Sequence, residues 1–197
     1  MKKITLLSLT ITMSAFHPAA EADLYLTPWF GYSVGGSVED QNQNEFDLKG
    51  SQTFAVSIES QFDTGRVGLF YAGQSTDVEQ LNSSAKMHYL HFQSSVYYPV
   101  QDKFSSYLGI GVGGSYIDAN WVGKEFGFSA SIFGGFEYQI NDTIAVNSQL
   151  RWLGTVVDSD TSGACNLPSN GQDSCIVKFK TDWMNQFSAN IGLTMRF

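Results

Sequence analysis

Phe187 to Phe197 reads FSANIGLTMRF, and its apolar residues Phe187, Ala189, Ile191, Leu193, Met195 and Phe197 alternate with small or polar ones throughout. Strict period two describes a strand with one apolar and one polar face. Chain ends in soluble proteins usually fray into water, so a closing strand that finishes on an aromatic residue calls for a surface that wants that residue. Alternation alone does not say whether the apolar face meets a protein core or lipid.

The opposite end of the chain bears on that choice. Residues 1–22, MKKITLLSLTITMSAFHPAAEA, carry Lys2 and Lys3, an apolar run from Ile4 to Phe16, and the small-x-small triplet Ala20-Glu21-Ala22. This pattern predicts a signal peptide cleaved after Ala22, and the run is shorter than the roughly 20 residues a spanning helix needs. The exported chain, residues 23–197, suits one domain. It is rich in Gly, Phe, Tyr and Ser and poor in Pro and charge. No later apolar stretch is long enough to cross a bilayer as a helix, so any crossing must use strands. The formal net charge of −8 lacks the basic footprint of a nucleic-acid binder, and no nucleic-acid partner is expected.

Working back from the last segment, alternation recurs over residues 24–36, 52–62, 66–74, 86–98, 104–116, 126–138, 144–154 and 183–197. Short breaks at Asp63-Thr64-Gly65, Pro99–Lys103 and Gln139–Thr143 alternate with long polar breaks near 37–51, 75–85, 117–125 and 155–182. Eight strands, an even number, can close without an edge, so the predicted fold is an all-β, eight-stranded antiparallel barrel. A soluble barrel of the lipocalin sort would show the same alternation with the apolar face inside. Aromatic placement separates the two. Phe54 and Phe62, Phe104 and Tyr116, and Phe126/Phe128 against Phe136/Tyr138 bracket smaller residues at eight- to twelve-residue spacing, as two interfacial girdles would.

The chain therefore resembles the small outer-membrane barrels of the OmpA transmembrane domain, OmpX and opacity-like surface protein type. The resemblance implies short periplasmic turns, long extracellular loops and a place in the cell outer membrane. It implies contact with outer-membrane lipid and lipopolysaccharide. It also implies that Ile191, Leu193, Met195 and Phe197 form the terminal signal read by the barrel-assembly machinery. Members of this class include adhesins, envelope stabilisers, narrow channels and a few lipid-modifying enzymes, since fold does not fix function.

Several motifs have simple structural readings. Gly109 to Gly114 formally contains GxGxxG, but no helix pattern follows; the glycines are read as small lumen residues that make room for bulky neighbours, and no cofactor is expected. His88 and His91 fall on opposite faces of one strand, so they do not converge, and no catalytic or metal site is expected. Glu59, Glu137, Arg151 and Arg196 share the polar face and are expected to pair as a lumen charge network, among inward Trp29, Phe70, Met87, Tyr89, Tyr97, Tyr107 and Phe133. Cys165 and Cys175 lie in one polar segment of an exported chain, where a disulfide is expected, with free thiols or a metal site as the rival readings. Such a small closed loop would gain about 3 kcal/mol on the chain-entropy estimate. The long loops are acidic. The expected function is that of a non-enzymatic outer-membrane barrel that works through these loops, in adhesion to a host or cell-surface ligand or in envelope stabilisation. A narrow channel and, third, a lipid A-modifying enzyme are the alternatives.

Overall fold

The computed structural model describes residues 23–39, 45–77, 84–119, 126–156, 163–165, 175–179 and 183–197. The signal peptide expected over residues 1–22 lies outside them. Along the described chain run β1 (Leu24–Val34), β2 (Ser37–Glu39), β3 (Glu45–Asp47), β4 (Ser51–Phe62), β5 (Gly65–Asp77), β6 (Ser84–Gln101), β7 (Phe104–Ala119), β8 (Phe126–Gln139), β9 (Ile144–Val156), β10 (Gly163–Cys165), β11 (Cys175–Phe179) and β12 (Trp183–Arg196). Eight of them close a barrel in the order β1-β12-β9-β8-β7-β6-β5-β4, every pair antiparallel, with β4 returning to β1. The eight alternating segments become these eight strands.

Local chemistry sets the short turns. Phe62 pairs with Gly65, leaving a two-residue turn in which Asp63 takes a positive φ of 52°, a conformation that Asp tolerates better than most residues. Pro28 has no N–H to donate. Pairing of β1 with β12 lapses between Leu26 and Trp29, while the ladder to β4 continues through Thr27 and Pro28. Thr27 bridges the lapse with a 2.7 Å hydroxyl contact to Thr194. The start of β1 and the last residue meet at the short-turn rim, where Leu24 and Phe197 exchange two backbone hydrogen bonds of 3.1 and 2.9 Å.

The two faces of the wall are chemically reversed relative to a soluble protein. Thr27, Ser57, His91, Ser129, Asn147 and Thr155 are among the fully buried side chains. Phe54, Phe62, Leu108, Ile110, Phe126, Leu150, Ile191 and Phe197 are each at least 60% exposed on the outside. Such a continuous apolar exterior has only lipid to meet, which decides against a lipocalin-like core.

Two of the long breaks contain structure that the alternation did not reveal. Strands β2 and β3 from the first and β10 and β11 from the last form a separate four-stranded sheet in the order β10-β11-β2-β3, with Lys178 opposite Glu39 and Cys165 opposite Cys175. Segments of three to five residues are too short for a period-two pattern to stand out.

Candidate functional site

Inward positions recur every second residue along each strand, so eight strands project eight columns of side chains into a space that side chains can fill. At the short-turn end, Arg66 at the start of β5 makes a two-pronged ion pair with Glu137 near the end of β8, at 2.7 and 2.8 Å. Its Nη1 also donates to the Tyr97 hydroxyl at 2.8 Å. The guanidinium lies between two rings, 3.7 Å from the Tyr25 centroid and 4.3 Å from that of Tyr97. Tyr97 in turn stacks on Tyr107 at 5.1 Å. Planar charge, planar rings and a forked carboxylate fit one another closely, a geometry open to Arg and not to Lys.

One layer further in, Glu59 accepts hydrogen bonds from Gln93 at 3.0 Å and Ser57 at 3.3 Å. The same Gln93 amide accepts from Arg151 at 2.7 Å, so it links a buried carboxylate to a buried guanidinium that does not touch it directly. Arg151 also donates to Gln149 and Ser131, at 3.1 and 2.8 Å, and is sandwiched between Phe70 and Phe133 at 3.7 and 4.1 Å. The motif of ring, guanidinium, ring thus occurs twice along the lumen. Glycines make room for these layers: a Cβ at Gly109 would run into the Phe133 ring, and one at Gly111 would lie 2.8 Å from Ser131 Oγ and 3.2 Å from the His91 imidazole.

His91 is fully buried, and its two ring nitrogens face the hydroxyls of Ser129 at 2.7 Å and Ser131 at 3.1 Å. His88 points outward and its Nδ1 meets the Tyr71 hydroxyl at 2.8 Å. Toward the loop end, Gln74 and Tyr89 both donate to Gln186 at 2.9 Å. Between this layer and Arg151 remains a cavity of about 20 Å³, room for about one water molecule.

Of the four charges expected in the lumen, Glu59, Glu137 and Arg151 are buried inside, and Gln93 joins two of them. Arg196 is placed differently: it pairs with Asp23 at 2.6 Å on the rim, where the two side chains are 40% and 33% exposed. The partner of Glu137 is Arg66, which the expected network omitted. Its parity with Gly68 and Phe70 marks it as inward, one residue from the turn at Asp63-Thr64. Because the Arg196 pair is half-exposed, Arg196→Ala should cost at most about 1 kcal/mol in equilibrium unfolding. A loss of several kcal/mol would mean the rim pair is shielded from water.

The remaining expected residues lie elsewhere. Ile191, Leu193 and Phe197 face outward and are 68%, 43% and 71% exposed, with Met195 on the same face. Cys165 and Cys175 occupy directly opposed backbone positions of β10 and β11.

Residues 4–197 match the family described as an outer membrane protein beta-barrel domain. Among solved structures, the chain is similar to the outer membrane protein OprG from Pseudomonas aeruginosa, at 15% identity and a TM-score of 0.62, over 89% of this chain and 96% of that one. It is also similar to Neisserial surface protein A, at 10% identity and a TM-score of 0.58, over 90% of this chain and 100% of that one. The outer membrane protein AlkL gives 16% identity and a TM-score of 0.52, over 94% and 97%. These likenesses are of fold. No curated protein sequence matches the chain.

Proposed function

We propose, for a chain that belongs to the outer membrane protein beta-barrel domain family and so crosses the outer membrane on eight strands, a non-enzymatic role carried by its extracellular loops. The role is adhesion to a host or cell-surface ligand, or stabilisation of the envelope. One observation carries this reading: the Arg66–Glu137 pair lies clasped between tyrosines across the short-turn end of the interior, with a second stacked guanidinium above it, an arrangement that would stop the lumen. A barrel closed in this way offers other molecules its rim and loops. Loops on a rigid scaffold are where binding usually resides.

Several finer features are part of the proposal. Cleavage after Ala22 would make Asp23 the first residue of the mature chain, and its carboxylate is the one that receives Arg196. Ile191, Leu193, Met195 and Phe197 would present the closing strand to the barrel-assembly machinery. Lipopolysaccharide would surround the barrel in the outer leaflet. A Cys165–Cys175 disulfide is favoured by the register that sets the two residues opposite each other, and it would staple the hairpin that β11 joins to β2. Peptide mass mapping without reductant should find the two joined; a pair of free thiols would remove the staple.

A narrow channel is the second reading, favoured by the polar character of the interior and its small cavity. Catalysis by His91 is disfavoured because hydroxyls occupy both of its ring nitrogens, leaving neither for an orienting carboxylate. The loop reading is tested with intact cells displaying the protein, assayed for adherence to cultured epithelial monolayers. Shortening the segment 157–182 should reduce adherence several-fold while the barrel stays in the membrane. Equal adherence would take that loop out of the function.

A further inference from the structure

The two stacked guanidiniums of the lumen differ in their counterions. Arg66 carries Glu137 on its fork at 2.7 Å. Arg151 touches no carboxylate among the described residues, and the hydrogen-bonded path from it to Glu59 runs through the Gln93 amide. Beside Arg151, on the loop side, lies the cavity of about 20 Å³, whose walls come from β1, β4, β5, β6, β9 and β12. The layer of Gln74, Tyr89 and Gln186 closes it toward the loops.

Hydrogen-bond accounting gives the chemistry of that space. Each guanidinium nitrogen of Arg151 donates once, Nε to Gln149, Nη1 to Ser131 and Nη2 to Gln93, yet each Nη carries a second N–H. Phe70 and Phe133 cover the two faces of the group, and Arg151 is 3% exposed, so bulk water does not serve those protons. Ser188 is a further donor in the lining: its Oγ accepts from Asn190 at 3.0 Å and keeps its own proton to give. The side-chain carbonyls of the lining face other partners. Gln186 Oε1 takes Gln74 and Tyr89, Gln74 Oε1 lies 3.4 Å from the Thr53 hydroxyl, and Asn190 Oδ1 lies over Gly31. A buried water needs acceptors as well as donors, whereas an anion needs donors alone and is held most strongly by a charged one.

We propose that this cavity binds one small monatomic anion, chloride in a saline medium, through the second N–H groups of Arg151 and the hydroxyl of Ser188. The ion gives Arg151 the direct counterion that Glu59 does not supply. The space suits a sphere of water or halide size and is too small for sulfate or an organic acid. Because the ion binds the folded barrel and not the unfolded chain, stability rises with chloride concentration. The site lies inside the wall and is independent of what the loops bind.

The cavity is enclosed, so the test loads it by refolding the purified full barrel. Crystals of protein refolded with sodium bromide as the only halide, measured at the bromine edge, should show an anomalous peak in contact with the Arg151 Nη atoms. In urea unfolding at one ionic strength, with chloride replaced stepwise by gluconate, each tenfold rise in chloride above the dissociation constant should raise the folded-to-unfolded ratio about tenfold. Ala72→Val fills part of the cavity from a lining position without a polar side chain, and it should lose both the peak and the chloride dependence. Heat-modifiable migration shows whether that variant folds; Arg151→Met, which removes the charge, should give the same two losses and takes its place if it does not. An empty bromide map at the cavity, equal stability in chloride and gluconate, or full chloride dependence in either folded variant would each overturn the proposal and leave a water molecule as the occupant.

Discussion

Arg66→Ala is expected to destabilise the barrel by about 3–5 kcal/mol, because it strands the Glu137 carboxylate in a site that was desolvated around the pair. The two side chains are each only 9% exposed. Glu137 would lose both prongs of its charged partner, and Tyr25 and Tyr97 would lose the planar cation between them. The control is the double variant Arg66→Ala/Glu137→Ala, which removes both charges and should cost much less than the sum of the single changes. Arg66→Lys should recover only part of the loss, since an ammonium cannot fork onto the carboxylate or stack on both rings. Urea unfolding in lipid vesicles reads all three. A loss below about 1 kcal/mol for Arg66→Ala would mean that water reaches Glu137 and that the stopper is loose.

Phe197→Asp is expected to have a larger effect on the amount of protein, through assembly instead of equilibrium stability. Phe197 is 71% exposed on the outer wall at the short-turn rim, where its backbone ties the last strand to Leu24. A carboxylate there would face the interfacial belt of the membrane in place of an aromatic girdle residue. It would also remove the residue that the barrel-assembly machinery is proposed to read. The variant should remain in the periplasm and be degraded, leaving little heat-modifiable barrel in outer-membrane fractions. Wild-type levels of folded barrel would show that closure and insertion do not depend on this residue.

Much of the architecture is legible because period two is a direct image of a wall with two solvents. Phe30, Phe54 and Phe128 alternate with Gly31, Thr53 and Ser129, a pattern that separates the two faces, while the placement of the aromatic residues says which of them is outside. Strand ends are less legible. The segment expected at 86–98 forms Ser84–Gln101, and its hairpin with β7 is paired as far as Ala85 and Ala119, past the point where alternation fades into a polar loop. Parity gives the face of a residue and not its height along the barrel. That is why Arg196, inward by parity, proves to be a rim residue paired with Asp23, whereas Arg66, next to a turn, belongs to the buried stopper. The Gln93 link and the ring sandwiches around Arg66 and Arg151 join residues from strands far apart in sequence, and no local pattern encodes such contacts.

Single-channel recording of the purified barrel in a planar bilayer tests the closed lumen most directly. Wild type should show no steady conductance steps, because the Arg66–Glu137 clasp and the Arg151 sandwich fill successive layers of the interior. Arg66→Ala/Glu137→Ala, which removes the lower stopper without stranding a charge, should raise the frequency of brief openings. Steady, well-defined steps in wild type, altered by Arg66→Ala or Glu59→Ala, would contradict the closed lumen and make passage through the barrel its function.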